Sequence, residues 1–350
     1  MVKVLLGMSG GVDSTYAALK LSEMGYKVEG AIIKMHEYTE CRDAVECARS
    51  LGIPLHVIDG EELFSSVVKD DFVREYSHGR TPNPCIICNE RVKFKLLYDY
   101  AMSHGFDLIA TGHYAKIKLI RDEHGERHAI AMTDSKKDQS YMLYRLPEEI
   151  LSKLVFPLSD VDKDAVREGA RSAGLTVSEK KDSMEICFLP GGKHYEYVEG
   201  VTGDRRIGNF VSIDGAILGP HEGICRYTVG QRKGLGISLG ERVFVTDINP
   251  DTCDITLSET FFGKRETRLS HVVFSGISPE ELLKSGGDVA EEFPFRVKVR
   301  YNASMEECDV AMLDGGEVLL KFFKDLRIAK GQSAVVYRGG VIMLGGIIEC

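Results

Sequence analysis

The first two hundred residues switch repeatedly between short continuous apolar runs and longer stretches whose apolar positions fall three and four apart. Residues 3–6 form such a run and predict a buried strand; 15–24 follow with helical spacing and stop before Gly25; 27–33 are the next strand. The pattern continues with a helix over 41–51 closed by Gly52, a strand over 54–58, and helices over 62–76 and 90–104. A strand over 106–110 then runs into Thr111-Gly112-His113. Residues 116–132 predict a hairpin turning at 122–126, and 162–173 a helix ending at Gly174. Strands alternating with helices imply an α/β fold, a doubly wound and mostly parallel sheet with helices on both faces, whose ligands sit at the carboxyl ends of the strands.

Beyond about residue 200 the period changes to two. Runs at 210–213, 242–248, 254–257, 295–301, 306–313, 317–322, 333–338 and 341–348 alternate apolar and polar residues, with Gly or Asp turns between them. This predicts antiparallel β structure ending in a small barrel. At 350 residues the chain exceeds what one hydrophobic core usually serves. No repeat of fixed period and no low-complexity segment is present.

Composition sharpens the picture in three places. No apolar run approaches the roughly 18 residues of a membrane-spanning helix, and the apolar start at 1–6 is too short for a signal peptide. The expectation is a soluble, cytoplasmic protein with no membrane partner. A net charge of -9 argues against indiscriminate coating of nucleic acid, yet residues 80–95 and 226–242 each carry four basic residues against one acidic. With Arg296, Lys298 and Arg300 alternating on one predicted strand, these segments would line a phosphate-tracking groove, although each alone also reads as a solvated face. Nine cysteines, an odd number spread along the chain, argue for reactive or metal-binding thiols over a disulfide scaffold.

The strongest local signal is Gly7-Met8-Ser9-Gly10-Gly11-Val12-Asp13-Ser14, between a predicted strand and a predicted helix. Glycines let backbone N–H groups face an anion, the hydroxyls of Ser9 and Ser14 add donors, and the helix N-terminus adds favourable dipole charge. This is a phosphate or pyrophosphate cradle, and Asp13 could hold Mg²⁺ beside the phosphates. No Gly-Lys-Ser/Thr ending and no dinucleotide spacing is present. The string matches the PP-loop, S-G-G-x-D-S, of enzymes that cleave ATP between its α and β phosphates to adenylate a carbonyl oxygen.

A second constellation is Gly79-Arg80-Thr81-Pro82-Asn83-Pro84-Cys85-Ile86-Ile87-Cys88-Asn89, followed by a basic helical stretch. Two prolines stiffen the loop, and a Cys-x-x-Cys ahead of a helix with Arg and Lys nearby is expected to favour thiolate or to ligate a metal. A four-cysteine zinc site would need a second Cys-x-x-Cys, and the chain has none. A hundred residues on, Cys187 lies in Ile186-Cys187-Phe188 and by itself reads equally well as a buried strand cysteine.

Taken together these strings resemble one family along nearly the whole chain: the tRNA-specific 2-thiouridylases, which thiolate the wobble uridine. The resemblance also runs through Ala110-Thr111-Gly112-His113-Tyr114, Lys137-Asp138-Gln139-Ser140-Tyr141 and Lys181-Asp182-Ser183. It continues in Thr228-Val229-Gly230-Gln231-Arg232-Lys233-Gly234-Leu235-Gly236, Lys298-Val299-Arg300-Tyr301 and Gly331-Gln332-Ser333-Ala334-Val335. It implies a PP-loop catalytic domain over 1–202, a small central domain over 203–262 and a C-terminal β-barrel over 263–350. It further implies ATP at Gly7, Met8, Ser9, Gly10, Gly11, Val12, Asp13 and Ser14, with Ile33 and Gly112 near the nucleotide. Cys88 matches the nucleophilic cysteine and Cys187 the persulfide carrier. Asn83, Pro84 and Cys85 match the segment that meets the target base, and His113, Lys137, Asp138, Gln139, Arg300, Tyr301 and Gln332 match tRNA-contacting positions. His113 taken alone also reads as a satisfied loop histidine.

The chain departs from the commonest family pattern at Cys85, where many members carry Asp. Cys85, Cys88 and Cys187 would then supply three ligands of a 4Fe-4S cluster whose fourth iron binds sulfide, and this competes with the persulfide scheme on the same residues. The function implied is ATP-dependent 2-thiolation of the wobble uridine of tRNA, with sulfur delivered by a donor linked to a cysteine desulfurase. The alternatives are a PP-loop thiolase acting at another tRNA position and an ATP- and RNA-binding protein without turnover.

Overall fold

The computed structural model describes residues 1–122, 125–175, 186–189, 191–260, 263–284 and 294–349. The chain divides into two compact units, and each is assembled from separated pieces. One comprises Met1–Val68, Cys85–Phe188 and Gly339–Met343, the other Lys69–Pro84, Leu189–Arg338 and Leu344–Cys350. The chain therefore passes from one unit to the other five times.

The first unit is built on a parallel sheet of β1 (Lys3–Gly7), β2 (Lys27–Lys34), β3 (Leu55–Asp59), β4 (Leu108–Thr111) and a two-residue strand, with the hairpin of β5 (Lys116–Asp122) and β6 (Gly125–Ala131) between the last two in sequence. With β7 as that strand, Leu154–Val155, the spatial order is β3-β2-β1-β4-β7. Val4, Leu5 and Leu6 are wholly buried, as the continuous apolar run requires of a strand covered on both faces. The helix Val12–Glu23 sets Val12, Ala17, Ala18 and Leu21 into a core shared with Val166 and Ala170 of the helix Lys163–Ser172. Strand order reverses direction between β1 and β4, so the crevice at their carboxyl ends is the switch point at which such sheets bind ligands. The segment Gly339–Met343 joins this unit by pairing Val341 with Ala131 of β6.

In the second unit β8 (Gly208–Val211), β9 (Ile217–His221), β10 (Phe244–Ile248) and β11 (Ile255–Ser258) form a sheet of order β10-β11-β8-β9. Phe210, Ile224, Tyr227, Leu235, Val245, Ile248, Ile255 and Leu257 form its core. The barrel consists of β12 (Lys264–Phe274), β13 (Arg296–Lys298), β14 (Glu306–Met312), β15 (Val318–Leu326), β16 (Ser333–Arg338) and β17 (Val341–Ile348). It runs in order β12-β15-β14-β13-β16-β17 and closes where Leu344 and Ile348 pair with Phe274 and Leu269. Arg296 and Lys298 share β13, but the strand ends there and Arg300 lies in the bend that follows, so the predicted three-cation strand is shortened.

Two predicted helices are interrupted. The 62–76 stretch is a helix Glu61–Phe64, a π-turn Ser65–Lys69 and a helix Asp70–Ser77. The 90–104 stretch begins earlier, at Pro84, and carries a π-turn over Asn89–Lys93 before the helix Phe94–Ser103. Among the described residues no helix is long and apolar enough to cross a membrane.

Candidate active site

Three neighbouring strands bring the expected nucleotide-binding residues to one edge. Gly7 ends β1, Ile33 sits one residue from the end of β2, and Gly112 follows β4 directly. Gly7 stands opposite Ala31 on one side and Thr111 on the other, so the three positions share the carboxyl edge of β2-β1-β4. Gly10 takes the left-handed conformation at φ 73°, and a Cβ there would fall 2.5 Å from Cβ of Asp43. A Cβ on Gly112 would fall 2.9 Å from the backbone of Asp13 and Ser14. Both glycines are required by close backbone approach, the arrangement that leaves loop N–H groups open to an anion. The Ser9 N–H donates to Ser14 Oγ at 3.2 Å, and the Ser14 and Thr15 hydroxyls donate to Gly11 O at 3.1 and 2.9 Å, which fixes the loop.

Asp13 points into a small polar network that the sequence did not announce. Lys163 Nζ donates to both carboxylate oxygens, at 2.8 and 2.6 Å, and the Tyr114 hydroxyl donates to Oδ1 at 2.6 Å. Tyr114 is held in turn by Gln139, whose side-chain oxygen accepts the Tyr114 N–H at 3.0 Å and whose own N–H donates to Tyr114 O at 2.8 Å. Asp138 is buried, accepting from Thr133 N at 3.0 Å and Ser140 Oγ at 2.7 Å, while Lys137 beside it is exposed. Of these expected tRNA contacts, Asp138 and Gln139 therefore also hold the loop and aim Tyr114 at Asp13.

Cys85, Cys88 and Cys187 are free thiols. Cys187 lies in a turn and is exposed, not in a buried strand, while Phe188 after it is buried against Phe64 at 5.5 Å between ring centroids. Cys187 and Cys85 both act electrostatically on Cys88, and Cys85 acts on Cys187. Burial pushes Cys88 up to about 11, against the lowering effect of Lys93, and Cys85 and Cys187 are likewise raised by desolvation. The expectation that the loop favours thiolate is not met in the resting protein. Desolvation outweighs the pull of Lys93, and the Cys-x-x-Cys is itself helical, Pro84–Cys88, with Cys88 at its far end. Cys88 Sγ contacts Met35 Sδ at 3.7 Å.

A family model described as the tRNA methyl transferase HUP domain matches residues 2–191, its PRC-barrel domain matches 196–259, and an aminomethyltransferase β-barrel domain matches 265–348. The tRNA-specific 2-thiouridylase MnmA of Carboxydothermus hydrogenoformans is 38% identical over 99% of this chain and 97% of its own length. That of Clostridium perfringens is 42% identical over 99% and 98%. The chain belongs to the tRNA-specific 2-thiouridylase family. A solved 4-thiouridine synthetase–RNA complex with bound ATP overlaps 51% of this chain and 43% of its own at TM-score 0.37 and 19% identity, a likeness that bears on neither substrate nor site.

Within this family reading, His113 donates or accepts at Thr111 Oγ1 across 2.8 Å and faces the Phe94 ring at 5.5 Å. Burial, with Lys93 adding to it, lowers its imidazole to about 3, so it is neutral near pH 7. In the second unit Gln332 Nε2 donates to Thr81 O at 2.7 Å and so braces the residues before Asn83 and Pro84. Arg300 Nη2 donates to Arg327 O at 3.0 Å, and Tyr301 is half-buried next to it. The string Lys181-Asp182-Ser183 lies outside the described residues.

Asp13 is the carboxylate placed to hold Mg²⁺ beside the phosphates, and its two oxygens, which accept from Lys163, keep lone pairs for a metal that would share the site with that ammonium. Among the described residues no group of three or more His, Cys, Asp or Glu side chains is arranged to hold a metal ion, the three cysteines included. Lys163 is the residue beside the phosphate loop that sequence reasoning missed, whereas Lys93 belongs to the basic stretch already expected to act on the cysteines. Lys163 reads there as an ordinary first-turn residue of a surface helix, and only the pairing of that helix with Val12–Glu23 brings it to Asp13.

Proposed function

We propose that this protein is a tRNA-uridine 2-sulfurtransferase that uses ATP to replace the C2 oxygen of the wobble uridine with sulfur. ATP binds at 7–14 with Ile33 and Gly112 beside it, the uridine O2 attacks the α-phosphorus, and pyrophosphate leaves. Backbone N–H groups of the loop and the Lys163 ammonium supply positive charge where negative charge develops. The terminal sulfur of a Cys187 persulfide then attacks C2 and AMP departs, leaving Cys187 joined through a disulfide to the base. Cys88 thiolate attacks Cys187 Sγ, the S–S bond to the base breaks, and 2-thiouridine is released together with a Cys88–Cys187 disulfide. A thiol reductant reopens that disulfide, and a donor linked to a cysteine desulfurase reloads Cys187. Splitting the substitution into activation and displacement gives a poor leaving group, oxide, the character of a good one, AMP.

What supports this reading is that Cys85 and Cys187 act electrostatically on Cys88 within the unit that holds the phosphate loop. Asn83, Pro84 and Cys85 would meet the splayed base, as recognition of RNA loops requires, with His113, Lys137, Arg300, Tyr301 and Gln332 contacting the tRNA around it.

The test incubates the protein with ATP, a persulfide donor and unmodified tRNA, and follows AMP, pyrophosphate and nucleosides by mass spectrometry. Wobble 2-thiouridine is expected, with AMP formed in equal amount and no product from Cys187→Ser or Cys88→Ser. Thiolation mapped to another position overturns the substrate assignment, and binding of ATP and tRNA without pyrophosphate release overturns the enzyme. Anaerobic iron and sulfide analysis of the wild type and Cys85→Ala accompanies it: thiolation by iron-free protein is expected, and a cluster that is lost in Cys85→Ala and required for product overturns the persulfide route.

A further inference from the structure

The central sheet carries a cavity of about 600 Å³ whose lining includes Arg232, Lys233 and Arg242 with Leu235 and Ile237. All three cations are exposed, and among the described residues none has a carboxylate or hydrogen-bond partner for its side chain. Some exposed cations of this chain are paired, among them Arg42 with Glu46, Lys95 with Asp99 and Arg265 with Asp325, whereas these three stand together at one cavity without a carboxylate partner among the described residues. Three unpaired cations around one cavity in a chain of net charge -9 repel one another unless an anion joins them. Glu241, the carboxylate among the lining residues, lies close enough to Glu259 to raise its pKa.

The cavity wall is built rather than loose. Gly230 N–H donates to Val245 O at 2.7 Å and Val245 N–H to Gln231 O at 3.0 Å, tying the loop to β10. Gln231 caps it from within, accepting Thr228 N–H at 3.1 Å and donating to Lys233 O at 3.0 Å. Leu235 is buried in the sheet's core and Ile237 packs on it, so the cations are carried on a fixed turn. The same loop touches the base-meeting segment: the Thr228 and Thr81 hydroxyls lie 3.4 Å apart, and Thr81 is bound by Gln332. On the other flank Phe244, adjoining the lining residue Val243, carries the Arg327 guanidinium over its ring at 5.5 Å, and Arg300 donates to Arg327 O.

We propose that Arg232, Lys233 and Arg242 form a cradle for backbone phosphates of the RNA substrate, a second anchoring point on the unit that also carries Thr81 and Pro84. The proposal rests on the tRNA reading above. RNA backbone, and not a free nucleotide, suits cations that are spread round an open cavity and joined by one loop to the segment that meets the base. Such contacts position the substrate without reading its sequence.

The test measures binding of labelled tRNA to the full chain by fluorescence anisotropy between 50 and 300 mM salt, with ATP affinity measured alongside. For the triple variant Arg232→Ala, Lys233→Ala, Arg242→Ala, Kd for tRNA is expected to rise about tenfold or more and the slope of log Kd against log salt to fall by about two. ATP affinity should stay within twofold. The charge-preserving set Arg232→Lys, Lys233→Arg, Arg242→Lys should restore both, and Arg232→Ala alone should lower the slope by about 0.7, which keeps the proposal testable if the triple variant melts early. An unchanged slope and Kd in a protein whose wild type thiolates tRNA overturns the cradle and leaves the function standing. Loss of ATP affinity assigns the cavity to nucleotide and overturns it as well. A wild type that neither binds nor thiolates tRNA overturns the functional reading beneath it.

Discussion

Burial holds Cys88 protonated near pH 7, and the cation acting against that burial is Lys93, which lowers Cys85, Cys88, Cys187 and His113 together. Lys93→Met is therefore expected to slow alkylation of Cys88 by iodoacetamide at pH 8 to 9 by roughly tenfold, with Lys93→Arg near wild type. Equal rates in all three proteins would remove Lys93 from the chemistry. The same shifts set a stability window. Cys88 and Cys225 are raised to about 11 and Cys308 to about 12 from an ordinary 9.0, so their contribution is complete below pH 9 and is lost as pH rises through 11 to 12. His113 is lowered to about 3 from 6.5, so its contribution is complete above pH 6.5 and drains away as pH falls toward 3. Thermal melts should show a plateau between about pH 6.5 and 9, with the acid limb shallower in His113→Gln and the alkaline limb shallower in Cys308→Val. Lys163→Met should cut pyrophosphate release about 10²-fold or more while the melting curve keeps its shape if the ammonium acts at the phosphate loop as proposed, since its partner there is Asp13 and not the core.

Helices and strands act here as carriers that bring remote residues to one edge, and the tightest point of that machinery is the loop after β4. A side chain on Gly112 meets backbone of Asp13 and Ser14, so Gly112→Ala is expected to lower ATP affinity at least tenfold and to cost about 1–3 kcal/mol, read by calorimetry and thermal melts. Wild-type affinity in Gly112→Ala would mean that the phosphate loop is not braced there. Most of the elements were legible because their periodicity agrees with their burial: the continuous run at β1 is buried on both faces, and the alternation in β15 matches a barrel wall, whereas β16, expected to alternate, is buried from Ser333 through Tyr337. What was not legible has physical reasons. The eleven residues of β12 begin Lys-Arg-Glu-Thr-Arg and bury only Thr267 and Leu269, so their outward charges hide a strand that pairing with β15 and β17 creates. The π-turns leave no mark on a helical pattern, yet the one over Asn89–Lys93 sits directly after Cys88. At the candidate site, the loop and the cysteine pair announced themselves by motif, and Cys187 only through the family resemblance. Lys163 did not, since a lysine near a helix start has no signature until its helix is packed.

On the scale of the molecule, Arg80 ties the residues that precede Asn83 to the far end of the sequence, donating to Glu75 at 2.6 Å and to both oxygens of Glu349 at 2.6 and 3.0 Å. Arg80→Met is expected to destabilise the second unit by about 1–3 kcal/mol and to raise KM for tRNA more than it lowers kcat, because it loosens a bracing contact and leaves the reacting groups in place. A loss confined to kcat would show that Arg80 serves chemistry instead. Since the first unit needs Gly339–Met343 to complete its pairing with β6, it stays unfinished while the ribosome translates the central sheet and nearly all of the barrel. The β5–β6 hairpin, though encoded early, is thus among the last parts to gain its strand neighbour, and a chain cut short before residue 339 is expected to keep that sheet edge open and to be cleaved there sooner than the full chain.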